Sequence, residues 1–148
     1  MRREAITAPS CGRWGRSSTV VAVILGRVRE LTPRELLGQV RDEVELIAAG
    51  PAEQERWLAE HRFPVDEIAL QFGDTVLHWL PLFTREGLMT SRLEAAMHAL
   101  DDHFSSFSGP QNAARWSEDA LYRDPAWEEA RRQARTVLGL IDAVIASP

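Results

Sequence analysis

The sequence predicts an all-α protein, a compact bundle of about four to six helices. Three observations carry this reading. Apolar residues recur at helical spacing through most of the chain beyond residue 31. Ser, Thr, Asp and Pro stand where helix N-termini need them, and Gly or Pro follows where the period lapses. The chain has 148 residues, 45% hydrophobic and 26% charged, enough for one domain with a sizeable core.

The first helix is expected at Thr32-Pro33-Arg34-Glu35, with Thr32 as N-cap, Pro33 in the first turn and Glu35 completing a capping box. Leu36, Leu37, Val40, Val44 and Ile47 then keep helical spacing. Gly50-Pro51 ends it, with Gly50 expected as a left-handed cap. A second helix is expected over 52–60, with Trp57 and Leu58 turned inward. Val65, Ile68, Ala69, Phe72, Val76, Trp79, Leu80 and Phe83 fit a third helix. The competing reading is a β-hairpin over 68–79 turning at Gly73-Asp74. Helix is preferred because the period persists for roughly five turns. Gly73 weakens that helix by about 1 kcal/mol, and Pro81 is expected to kink or end it.

A fourth helix is expected from Ser91, acting as N-cap with Glu94 as its box partner, to about residue 105. Leu93, Met97, Leu100 and Phe104 form its apolar stripe. Ser, Gly and Pro over 105–111 stop it, and a single turn is expected at 117–120. Asp124-Pro125 then opens the last helix, lined by Trp127, Ala130, Ala134, Val137, Leu138, Ile141 and Val144.

Charge divides the chain. All 17 basic residues are Arg, and residues 1–30 hold six of them against two Glu. The remainder has eleven Arg against twenty acids, a net of −9. We therefore read 1–30 as a basic leader, disordered or preceding the native start near Val28, with a strand over 20–28 as the alternative. Residues 31–148 are read as an acidic helical domain. Arg-only usage points to a GC-rich, bacterial genome. No apolar run approaches the roughly 18 residues of a membrane span, and the apolar run at 20–25 is too short for a secretory signal. Cys11 is the only cysteine, so no intramolecular disulfide or Cys-based zinc site forms. A cytoplasmic location is the resulting expectation.

The strongest metal candidates are Glu94, His98, Asp101, Asp102 and His103. At about 100° per residue, Glu94, His98 and Asp102 fall near 0°, 40° and 80° on the helical wheel. The apolar stripe falls between about 240° and 300°, so this carboxylate–His stripe is expected to face solvent. No metal or other cofactor is therefore assigned. His61 and His78 lack a nearby nucleophile, and no Gly-x-Ser-x-Gly elbow is present. Missing lysine removes Schiff-base and P-loop chemistry. The acidic pairs Asp101-Asp102, Glu118-Asp119 and Glu128-Glu129 diverge by about 100° on a helix and make no facing dyad.

The hexapeptide LTPREL at 31–36 resembles the opening of the LuxR-type helix-turn-helix family of DNA-binding regulators. That resemblance implies a scaffold helix and a basic recognition helix downstream. Residues 65–70, VDEIAL, are acidic and apolar instead. A body at −9 also lacks the cationic footprint of a phosphate binder. The hexapeptide is fully accounted for as a helix cap, and no nucleic acid is expected on the body.

Trp116, Glu118, Asp119, Tyr122 and Asp124 form the candidate partner-binding segment, with Trp127 close by. Aromatic residues concentrate at interface hot spots, and carboxylates steer a basic partner. The competing role for both Trp side chains is to wedge the last helix into the core. The leading functional expectation is a small acidic interaction module, regulatory or immunity-like, that binds a basic protein without catalysis. The alternative is an enzyme or small-molecule binder whose site joins His61, His78 and acids from distant positions. Self-association into a homo-oligomer is the third reading.

Overall fold

The computed structural model describes residues 20–24 and 27–148. The chain divides into two compact units, Met1–Thr32 and Pro33–Pro148. In the first, strands β1 (Val20–Ile24) and β2 (Arg27–Leu31) pair antiparallel, with Val20 opposite Leu31 and Ile24 opposite Arg27. Four of the five residues in VVAVI are β-branched, which suits a strand. The expectation for residues 1–19 lies outside the described residues.

The second unit is helical. It comprises α1 (Pro33–Ala48), α2 (Pro51–His61), α3 (Glu67–Gln71), a π-helical turn at Phe72–Val76, α4 (Leu77–Arg85), α5 (Ser91–Ser106), a 3₁₀ turn at Pro110–Arg115, α6 (Glu118–Arg123) and α7 (Pro125–Ala146). The helix reading of 68–79 therefore holds over the hairpin. The helix count exceeds six because α3 and α6 are single short pieces. No described helix is long and apolar enough to cross a membrane.

Helix α7 is the central element, packed against both α1 and α5. Its Trp127, Ala130, Ala134, Val137 and Ile141 are fully buried, as the spacing predicts. Leu37, Val40, Val44 and Ile47 of α1 and Leu93, Met97 and Leu100 of α5 are buried with them. Phe72, Val76 and Phe83 complete the core from the middle of the chain. Arg34 donates to the Ile145 carbonyl at 2.8 Å, and Arg41 pairs with Asp142, pinning the α1–α7 contact at its rim.

Several local expectations need correction. Gly50 has φ −66° and ψ 160°, so it is no left-handed cap; it is extended and leads Pro51 into α2. The left-handed residue is Arg62, φ 58°, which closes α2 as the Phe63 N–H reaches back to the Leu58 carbonyl at 3.0 Å. Thr90, not Ser91, caps α5: its hydroxyl accepts from the Leu93 N–H at 3.1 Å. Trp57 is only half-buried, and the inward residue beside Leu58 is Gln54. Pro81 does not end α4, which continues to Arg85. Gly73 and Asp74 sit in the π turn, where an extra residue is absorbed without leaving the helical path. Gly87, φ 72°, ends α4 in the left-handed region that glycine enters freely.

One polar group in α1 sits uneasily. A Glu43 carboxylate oxygen is buried without a hydrogen-bond partner. Burial, with Asp42 beside it, pushes the Glu43 carboxyl up to about 7. The folded state then holds a proton that the unfolded chain releases near its ordinary value, so folding stability falls as pH rises from about 4.5 to 7. Glu43→Gln removes this loss. In urea unfolding at pH 8 the variant is expected to be more stable by about 1–2 kcal/mol, allowing for solvent at the carboxyl's exposed edge. Near pH 4.5 the gain should vanish.

Candidate functional site

The 116–124 segment is built outward from the aromatic core of α5 and α7. Gly109, φ 97°, turns the chain after α5, and a Cβ there would lie 2.9 Å from the Gln111 side chain. The 3₁₀ turn then delivers Trp116 onto Phe107, rings stacked at 4.8 Å and 15°. The Trp116 indole N–H donates to the Phe107 carbonyl at 2.8 Å. Trp127 meets Trp116 edge-on at 5.3 Å and donates to the Arg115 carbonyl at 2.9 Å.

Arg115 locks the far end of the segment. Its Nε and Nη2 donate to the two Asp124 oxygens at 2.8 and 3.0 Å, and its guanidinium carbon lies 5.1 Å from the Phe107 ring centre. Asp124 also accepts the Ala126 N–H at 2.9 Å and caps α7. The Arg115 guanidinium, opposed by burial and helped by the Ala126 N–H, holds the Asp124 carboxyl below its ordinary value. Trp116, half-buried, and Asp124 are thus engaged within the domain. The remaining members of the predicted set, Glu118, Asp119 and Tyr122, lie exposed on α6.

Sequence reading missed the partner that α2 supplies to this face. Tyr122 is 49% exposed, and its hydroxyl donates to the Glu55 carboxylate. That hydrogen bond, burial, and the nearby Glu55 and Glu118 charges raise the Tyr122 phenol above its ordinary value. Asp119 pairs with Arg123 at 3.0 Å. The surface presents an aromatic ring bonded to Glu55 with the Glu118 charge nearby.

Two concavities flank these elements. One, about 490 Å³, opens between α1, α2 and α7; Asp42, Glu45, Glu53 and Glu60 share it with Arg56, Arg135 and Trp57. Its arginines are engaged, Arg56 with Glu53 at 3.5 Å and Arg135 with Glu128 at 3.6 Å. The other, about 550 Å³, lies between α3, the π turn, α5 and the 3₁₀ turn. Asp66, Asp74 and Asp101 line it with Leu70, Phe104 and Trp116, and among the described residues no arginine does. Burial and the adjacent Asp102 charge raise the Asp101 carboxyl, while His98 opposes them.

The five metal candidates scatter. Glu94 and His98 approach to 4.0 Å on an exposed face, and Asp102 is exposed there too. Asp101 turns toward the second cavity, and the His103 Nε2 donates to the Ala126 carbonyl at 2.7 Å. Among the described residues no group of three or more His, Cys, Asp or Glu side chains could hold a metal ion. His61 donates to the Trp57 carbonyl at 2.8 Å, and His78 meets Trp79 edge-on at 5.0 Å. No histidine lines either cavity.

The Arg115–Asp124 clamp makes a graded prediction. Asp124→Asn keeps a capping oxygen but loses the ion pair; Asp124→Ala loses both. Thermal unfolding should show Ala as the more damaging change, by about 1 kcal/mol. Equal destabilisation would show that the cap contributes nothing.

No protein-family model, curated protein or solved structure matches this chain, so its function has to be read from its own surface chemistry.

Proposed function

We propose that the helical domain is a non-catalytic interaction module that binds a basic protein through the α2–α6 face. The observation that supports it is Tyr122, half-exposed, bonded to the Glu55 carboxylate and near that of Glu118. An exposed aromatic held in place by a hydrogen bond has little side-chain entropy left to lose on docking. The flanking carboxylates favour a cationic partner and speed its approach. The twenty acids against eleven arginines beyond residue 30 extend that field over the whole domain.

The catalytic alternative finds less support. It needs histidine and carboxylate converging on a cleft, whereas the four histidines contact different neighbours, and neither cavity contains one.

Affinity capture from native lysate at low salt should recover one basic protein in stoichiometric amount. Tyr122→Ala and Glu118→Arg should each weaken that capture about tenfold or more, and high salt should weaken it further. Failure to recover a stoichiometric partner, or capture indifferent to both substitutions, contradicts the proposal. A homodimer in light scattering, broken by Tyr122→Ala, would reassign the face to self-association.

A further inference from the structure

The cavity between α3, the π turn and α5 carries three carboxylates, from Asp66, Asp74 and Asp101, beside Leu70, Phe104 and Trp116. Elsewhere in the domain several carboxylates are matched by an arginine. Arg41 meets Asp142, Arg115 meets Asp124, Arg131 meets Glu128 and Arg132 meets Glu129. Among the described residues no arginine or histidine lines this cavity. We propose that it receives an alkyl-guanidinium group, carried either by a free small molecule or by an arginine side chain. This does not depend on the α2–α6 face.

Shape and chemistry agree on that occupant. At about 550 Å³ the cavity falls in the range of roughly 300–1,000 Å³ typical of ligand sites. Its wall is mixed: half-buried Trp116 and buried Phe104 on one side, and Leu70, 50% exposed, on another. An alkyl stem can lie along that apolar wall while its charged head meets the acids. A guanidinium is planar, weakly hydrated and able both to stack on rings and to fork onto carboxylates, so it fits this mixture better than a compact, strongly hydrated ammonium. The domain already contains the same arrangement internally, since Arg115 is held between the Asp124 carboxylate and the Phe107 ring.

Backbone geometry brings the π turn close to Asp101 at the acidic end of the cavity. Gly73, in the π turn, has no side chain, and a Cβ built there would lie 3.5 Å from the Asp101 Oδ1. Asp66, Leu70 and Asp74 recur every four residues and so follow one stripe of the helical path on that side. Asp101 faces them from α5, where burial disfavours its charged form. A bound cation would reverse that preference.

The test is titration of the full chain with agmatine and, separately, with acetyl-Ala-Arg-Ala-amide at low salt, following the Trp116 indole N–H by NMR. Both probes should move that signal saturably, and neutral butylurea should not. Asp74→Asn and Asp101→Asn should each weaken binding by about tenfold or more. Because Asp74 is exposed, its variant keeps the test valid if Asp101→Asn unsettles α5. Tighter binding of the tripeptide assigns the group to an arginine side chain, and tighter binding of agmatine assigns it to a free small molecule. Glu118→Gln, on the α6 face, should leave both titrations unchanged, so loss of partner capture and loss of cation binding remain separable. The proposal is overturned if neither probe gives a saturable shift, if butylurea matches them, or if both Asn variants bind as the parent does.

Discussion

A buried hydrogen-bonded pair, Gln54 and Arg131, holds four helices in register. Both side chains sit inside the domain, Gln54 fully buried and Arg131 4% exposed. Arg131 Nη1 donates to Gln54 Oε1 at 3.0 Å, and its Nη2 donates to the Leu121 carbonyl at 2.9 Å. The Gln54 amide donates onward to the Leu46 and Ile47 carbonyls at 3.2 and 2.9 Å. Those carbonyls belong to the last turn of α1, which carries no basic residue of its own. The pair therefore caps α1 from α2, ties α2 to α7, and fixes α6 by its backbone. Losing either partner strands buried polar groups, at about 1–3 kcal/mol for each neutral group and more for the charge.

The register so fixed reaches the surface. Gln54 precedes Glu55, and Leu121 precedes Tyr122. The interior contact thus brings α2 and α6 to the spacing at which the Tyr122 hydroxyl meets the Glu55 carboxylate. On the other side of the sequence, the Arg115–Asp124 clamp and the stacked Phe107 and Trp116 rings hold the connection between α5 and α7. Arginine in this domain is largely structural, spent on caps, clamps and helix-face pairs. Carboxylates are left beside Tyr122 and around both cavities.

The helices were legible because their burial is periodic: Leu36 to Ile47, Leu93 to Phe104 and Trp127 to Ile141 occupy the core as spacing predicts. The local cap at Asp124 was legible too, and a turn was expected where Ser117 opens α6. Gln54 and Arg131 were not, because their hydrogen-bond partners come from elements 7 to 77 residues away, and a lone polar residue in a helix reads as solvent-facing. The same distance effect split the 116–124 segment: composition marked Trp116 and Asp124 as surface candidates, but Phe107 and Arg115 engage them. Asp101 carried a weak signal. On the wheel it falls near 340°, bordering Met97 at about 300°, which places it at the edge of the apolar stripe. Only the packing of α3 and the π turn beside it turns that edge into a cavity wall.

A double-mutant cycle on Gln54→Leu and Arg131→Met, read by urea unfolding, addresses the register claim most directly. Each single change should destabilise the domain by about 2–4 kcal/mol, since it strands the other partner in the interior. The double variant should cost less than their sum by about 1.5 kcal/mol or more. Additive losses would contradict the account: they would show that the two side chains act separately and that the α1–α2–α6–α7 register is set by apolar packing alone.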